Sequence, residues 1–184
     1  MRRNVIRRGV LLLTALLAGG CSDYGAGMQG ARMAMNLSKK DTHLRIFLDG
    51  QRAEQNTAKK AMTGYSNWKI KEPVSTSPRL RFEIEDADKL GRITMVTVSI
   101  YQAFEADYSH QAEYTLVSRS QSPDAQMKPG EEYPLGSPGG DIRVIGLTGS
   151  DVGGVTLKPG VKYKLVLTVK ADKSESAQIE FKTS

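Results

Sequence analysis

The chain has 184 residues, 39% of them hydrophobic and 25% charged, with a formal net charge of +6. Four of its arginines, Arg2, Arg3, Arg7 and Arg8, lie within residues 1–20; without that stretch the charge falls to +2, which argues against the basic stripe of a nucleic-acid-binding domain. The 164 residues that then remain (184 minus 20) fit one domain plus a tether, and the single cysteine, Cys21, excludes a disulfide framework or a thiolate metal site.

The apolar run from Val10 to Ala18 is less than half of the roughly 20 residues a helix needs to cross a bilayer. A basic start, a short apolar middle and the small residues Ala18, Gly19 and Gly20 have the layout of a secretory address. Because these small residues lead straight into Cys21, the stretch resembles a bacterial lipoprotein signal peptide with its lipobox. The resemblance implies cleavage before Cys21 by signal peptidase II and fatty acylation (palmitate) of Cys21, so that residues 1–20 are removed. Ala18 stands where such signals most often carry Leu. Ser22, with no Asp in that position, resembles lipoproteins exported to the outer membrane. The implied place is the cell envelope, held through the N-terminal lipid.

Residues 21–40 read as a flexible, lipidated tether, since Gly, Ala, Met and small polar residues show no sustained period of 2 or 3.6. A short apolar helix face made by Met28, Met33 and Met35 is the open alternative. Residues 22–72 carry a net charge of +4 and residues 73–184 a net charge of −2. A basic half beside the anchor would meet anionic headgroups, screened by salt within about 10 Å.

In residues 41–72, Leu44, Ile46 and Leu48 alternate with Arg45, Phe47 and Asp49 and run into Gly50, which predicts a strand entering a turn. Gln51 to Met62 is rich in Ala, Gln, Glu and Lys, and this composition points to a short helix with a thin apolar face.

After Pro73 the pattern sharpens. Leu80, Phe82 and Ile84 alternate with Arg79, Arg81, Glu83 and Glu85, as in a strand covering a core. Ile93 to Tyr101 is rich in β-branched residues, with Val96, Val98 and Ile100 on one face, and suits a central strand. Tyr114–Val117 and Ile142–Leu147 are further strands, separated by turn clusters at Pro129–Gly130, Pro134–Gly136 and Pro138–Gly140. Val161, Tyr163, Leu165, Leu167 and Val169 share one face opposite Lys162, Lys164, Thr168 and Lys170, and Ala177, Ile179 and Phe181 form a last strand.

Short strands between turn clusters, with no long amphipathic helix, predict an all-β antiparallel sandwich over residues 73–184. Leu157, Pro159, Gly160, Tyr163 and Leu165, followed by a β-rich run, a polar turn near Asp172–Ser176 and the ending Ile179, Phe181, Thr183, resemble fibronectin type III and related immunoglobulin-like modules. That resemblance implies a Tyr163 hydroxyl bonded to backbone a few residues upstream. The early core tryptophan of such modules is missing, and Phe82 has to take its place. Lys128, Pro129, Gly130, Tyr133 and Leu135 echo the later Lys158, Pro159, Gly160, Tyr163 and Leu165, and read as two similar turns rather than a duplication.

Chemistry has little to work with. The only histidines are His43 and His110, no Gly-x-Ser-x-Gly elbow occurs, and the glycine groups lack the Lys and Ser/Thr of a phosphate loop, so neither an enzyme nor a cofactor is expected. Asp107, His110 and Glu113, three apart, would meet as metal ligands on a helix face, and in a loop read as a chance spacing. Glu83, Glu85, Asp86 and Asp88 are a weak calcium candidate that does not match the twelve-residue calcium loop. Tyr101, Phe104, Tyr108 and Tyr114 crowd one segment and are the candidate partner-contact surface, with core packing as the competing account.

These features point to a lipid-anchored envelope module that binds a protein or glycan partner or serves a structural role. An alternative is a component of a secretion machine: Val96 to Gln102 with Lys128, Pro129, Gly130 and Glu131 resembles small outer-membrane lipoproteins of type VI secretion. An envelope hydrolase is the third reading, disfavoured by the missing catalytic constellation.

Overall fold

Alternating side chains, one face apolar and the other polar, make the strands and set where they pack. The computed structural model describes residues 43–55, 68–104 and 107–184. In chain order the strands are β1 (Leu44–Leu48), β2 (Gln51–Arg52), β3 (Glu54–Gln55), β4 (Trp68–Lys69), β5 (Arg79–Ile84), β6 (Met95–Phe104) and β7 (Asp107–Tyr108). There follow β8 (Tyr114–Ser118), β9 (Glu132–Pro134), β10 (Ile142–Gly146), β11 (Lys162–Lys170) and β12 (Glu175–Lys182). One helical turn, α1 (Ala87–Leu90), and a 3-10 turn at Pro123–Ala125 complete the described elements.

Two sheets face each other. The smaller has the order β2-β1-β5-β9 and the larger β10-β8-β6-β11-β12-β4-β3, with β7 adding to β6. Leu48, Leu80 and Phe82 from the small sheet meet Val98, Ile100, Leu165, Leu167 and Ile179 from the large one in a single core. Each such side chain, at most 1% exposed, stabilises the fold by about 1.5–3 kcal/mol relative to leaving it in water. Phe82 is fully buried in that core. The predominantly β, two-sheet architecture follows the alternation read along the chain.

Two expectations are corrected. The composition of Gln51–Met62 favours a helix, yet Gln51–Gln55 form β2 and β3. The turn at Asp49 and Gly50, both with positive φ, folds the chain back so that the Ala53 amide donates to Ile46 O at 2.9 Å. Pairing with a neighbour thereby outweighs helix propensity. Residues 56–62 of that stretch lie outside the described residues, as do the signal, Cys21 and the tether. The second correction concerns direction: β4 runs parallel to β12, and Val74 bridges Thr183 in parallel, so the larger sheet is mixed.

The Asp49 carboxylate also ties the first hairpin to the next strand. It accepts from the amides of Ser75 at 2.7 Å and Arg79 at 2.8 Å, holding the entry of β5 beside the β1–β2 turn.

Candidate functional site

One end of the sandwich is built around Tyr163. Its ring is fully buried and stacks on Phe181 with centroids 5.7 Å apart. Its hydroxyl accepts from the Lys158 amide at 3.0 Å, the upstream backbone bond that the Pro-Gly-Tyr pattern implies. Gly160 supplies the left-handed φ of +71° that this turn needs. Buried Thr183 accepts from the Val161 amide, and its hydroxyl points at Lys158 O at 2.6 Å, knitting the turn to the end of β12.

Beside this corner, β6 outruns β8 and pairs at its end with β7. The loop that follows is tied back to β6 by Ser109 N to Gln102 O at 2.9 Å and Glu113 N to Ile100 O at 2.7 Å. Opposite it, the turn after β10 is closed by Gly146 N to Ser150 O at 2.9 Å. Asp151 fixes its far side by accepting from the Gly153 amide at 3.1 Å and Arg119 at 3.0 Å. That amide first, and the two nearby arginines after it, hold the Asp151 carboxyl below its ordinary value.

Between these walls lies an open cleft of about 650 Å³, lined by Gln102, His110, Glu113, Tyr114, Leu147, Val152 and Lys158 among others. That volume falls in the range of small-ligand sites. Leu147 and Val152 are 61% and 48% exposed, a branched apolar rim. Tyr114 donates its hydroxyl proton to Thr156 O at 2.8 Å, and Lys158 Nζ bonds Gln102 Oε1 at 3.3 Å. Oε2 of Glu113 is buried and has no hydrogen-bond partner among the described residues. Leaving a buried polar atom unpaired costs about 1–3 kcal/mol, and more when it is charged. The same carboxylate acts at a distance: burial first, and then Glu113 and Tyr114, push the Tyr163 hydroxyl above its ordinary value.

The four aromatic candidates separate. Tyr101 and Tyr108 flank Lys164 on the outer face of the large sheet, their ring centroids 5.0 and 4.6 Å from its Nζ. Phe104, at the end of β6, is 70% exposed. Tyr114 pairs in register with Ile100 and enters the cleft. Three of the four acidic candidates are taken up by cations. Glu85 receives Arg45 through two bonds of 2.8 and 2.6 Å, and Glu83 lies 3.3 Å from Arg81. Asp86 meets Lys89 at 2.7 Å, which holds its carboxyl below the ordinary value, while Asp88 is exposed on α1. Among the described residues no group of three His, Cys, Asp or Glu stands close enough to hold a metal ion. Asp107 belongs to a strand and His110 to a bend, so their spacing of three does not align them with Glu113 as it would on a helix.

No protein-family model matches this chain, and no curated protein matches it either. Sequence reasoning passed over Gln102, Leu147, Val152 and Lys158. A usable signal was present: two branched apolar residues, Leu147 and Val152, within a run otherwise made of Gly, Ser, Thr and Asp, where a plain turn needs none. Among the described residues no helix is long and apolar enough to cross a membrane.

Proposed function

We propose that this protein is a lipid-anchored binding module of the cell envelope, held through Cys21, and that its cleft is a recognition site for a protein or glycan partner. The observation that carries this reading is the open cleft of about 650 Å³ with its exposed apolar rim, Leu147 and Val152; the exposed Phe104 follows on β6 two residues after Gln102 of the lining. Exposed apolar groups around a concave site are what a recognition surface needs, because their burial drives association. The charge inventory favours no nucleic acid. We read the sandwich itself as immunoglobulin-like, of the fibronectin type III kind. In support, β1-β5-β9 face β8-β6-β11-β12, and the tyrosine corner sits at the entry of β11.

Two experiments test the reading. A photo-crosslinking side chain at Leu147 or Phe104 in cells is expected to yield adducts with an envelope partner, whereas the same group at exposed Lys182 yields none. Equal adducts from all three positions would mean that the cleft end has no special role. The substitution Cys21→Ser is expected to release the protein from membranes and to end incorporation of labelled fatty acid. Unchanged retention and labelling would remove the anchor.

A further inference from the structure

The geometry points to a basic side chain of a polypeptide partner, lysine-like or arginine-like, as the group this cleft takes, with Glu113 as its counter-ion. The inference rests on reading the cleft as a recognition site and names the chemistry of the occupant. Its basis is the mismatch at Glu113. Oε2 of this residue is buried without a hydrogen-bond partner among the described residues, although the residue lines an open cleft. A carboxylate only accepts, so what completes it is a donor, and a charged donor makes the stronger bond. The terminal torsion of a glutamate side chain is broad, so a rotation there turns either oxygen toward the cleft.

The one lysine among the lining residues does not fill this role. Lys158 Nζ is directed to Gln102 Oε1 at 3.3 Å. The backbone amide of Lys158 is likewise spent on the Tyr163 hydroxyl. The walls fit the remainder of a basic side chain. Leu147, Val152 and the Tyr114 ring offer apolar surface to an aliphatic stem, which long basic side chains bury while keeping the charged head with a polar partner. An amino sugar carries the same charge on a hydroxylated ring and gains little from such walls.

The test is an amide NMR titration of the full chain in detergent micelles with Nα-acetyl-lysine methylamide. Saturable shifts are expected in Ser109–Tyr114 and Gly146–Val152. The norleucine analogue, which keeps the stem and loses the charge, is expected to bind at least tenfold more weakly, and Glu113→Gln to lose the same factor toward lysine. Glu113→Asp, which keeps the charge, is expected to retain part of the affinity. Lys158→Met removes a like charge and is expected to tighten binding. Equal affinity for the lysine and norleucine probes on the wild-type chain overturns the inference even if a Glu113 variant fails to fold. Preference for a glutamate or glucosamine probe overturns it as well. If Leu147 still crosslinks to a partner while the lysine probe does not bind, this inference falls and the recognition reading stands; lysine binding without any Leu147 adduct has the reverse meaning.

Discussion

Two turns in this molecule share the residues Lys-Pro-Gly-x-x-Tyr-x-Leu, at Lys128 to Leu135 and at Lys158 to Leu165. Both carry a glycine of positive φ, Gly130 at +84° and Gly160 at +71°. In both, the tyrosine hydroxyl accepts from the lysine amide five residues upstream, at 2.7 Å for Tyr133 and 3.0 Å for Tyr163. Both leucines are fully buried. What differs is the surroundings. The first turn enters β9 on the edge of the small sheet, and its tyrosine is half-buried; the second enters β11 in the middle of the large sheet, and its tyrosine is fully buried. Glu131 accepts a hydrogen bond from the Tyr133 hydroxyl at 2.8 Å, whereas Val161 occupies the equivalent position of the second turn. One local rule thus yields a surface brace in one place and a core pillar in the other, because burial sets what a hydrogen bond is worth.

Removing the two hydroxyls gives the largest contrast. Tyr163→Phe strands a part-buried amide and should cost about 1–3 kcal/mol, while Tyr133→Phe exposes its amide to water and should cost about 0.5 kcal/mol. Urea unfolding of the two variants measures the difference, and equal losses would show that both turns are shielded alike.

A smaller contrast lies on the outer face of β11. Lys164 sits between two tyrosine rings, and cation–π contacts at such sites contribute roughly 0.5–1 kcal/mol each. Lys164→Ala should therefore cost about 1 kcal/mol, and exposed Lys162→Ala no more than about 0.5 kcal/mol, read from the same unfolding curves. A reversed order would mean that the rings do not hold the lysine in solution.

The smallest effect is in pH dependence. Burial first, with the Glu131 carboxylate adding to it, pushes the Tyr133 hydroxyl up to about 12. An unfolded tyrosine loses its proton near 10, so the folded chain binds this proton more tightly. The resulting stability is fully present below about pH 10 and is lost as pH rises toward 12. Tyr133→Phe should flatten the fall of the unfolding midpoint across that window. An unchanged slope would remove Glu131 and burial as its cause.

Alternation alone made most of the sandwich legible. The apolar faces of β1, β5, β6, β11 and β12 are each marked by residues two apart, and a one-residue slip would turn those side chains to solvent. The Tyr163 bond was legible too, through the resemblance of the Leu-x-Pro-Gly-x-x-Tyr pattern to the corresponding turn of fibronectin-like modules. Gln51–Gln55 were not legible, since two-residue strands have too few side chains to show a period. The cleft was hidden for a different reason: Gln102, Glu113, Leu147 and Lys158 come from four separate stretches that only β6–β8, β8–β10 and β6–β11 pairing brings together.

The sequence by itself determined the strands, their inward faces and the form of both tyrosine turns, since these depend on residues within a few positions of one another. Only the tertiary structure decided that Tyr133 stays half-buried at a sheet edge, that β4 joins β12 in parallel, and that a carboxylate oxygen of Glu113 stands unpaired beside an apolar rim. Burial and electrostatic pairing are properties of neighbours in space, and here those neighbours lie tens of residues apart along the chain.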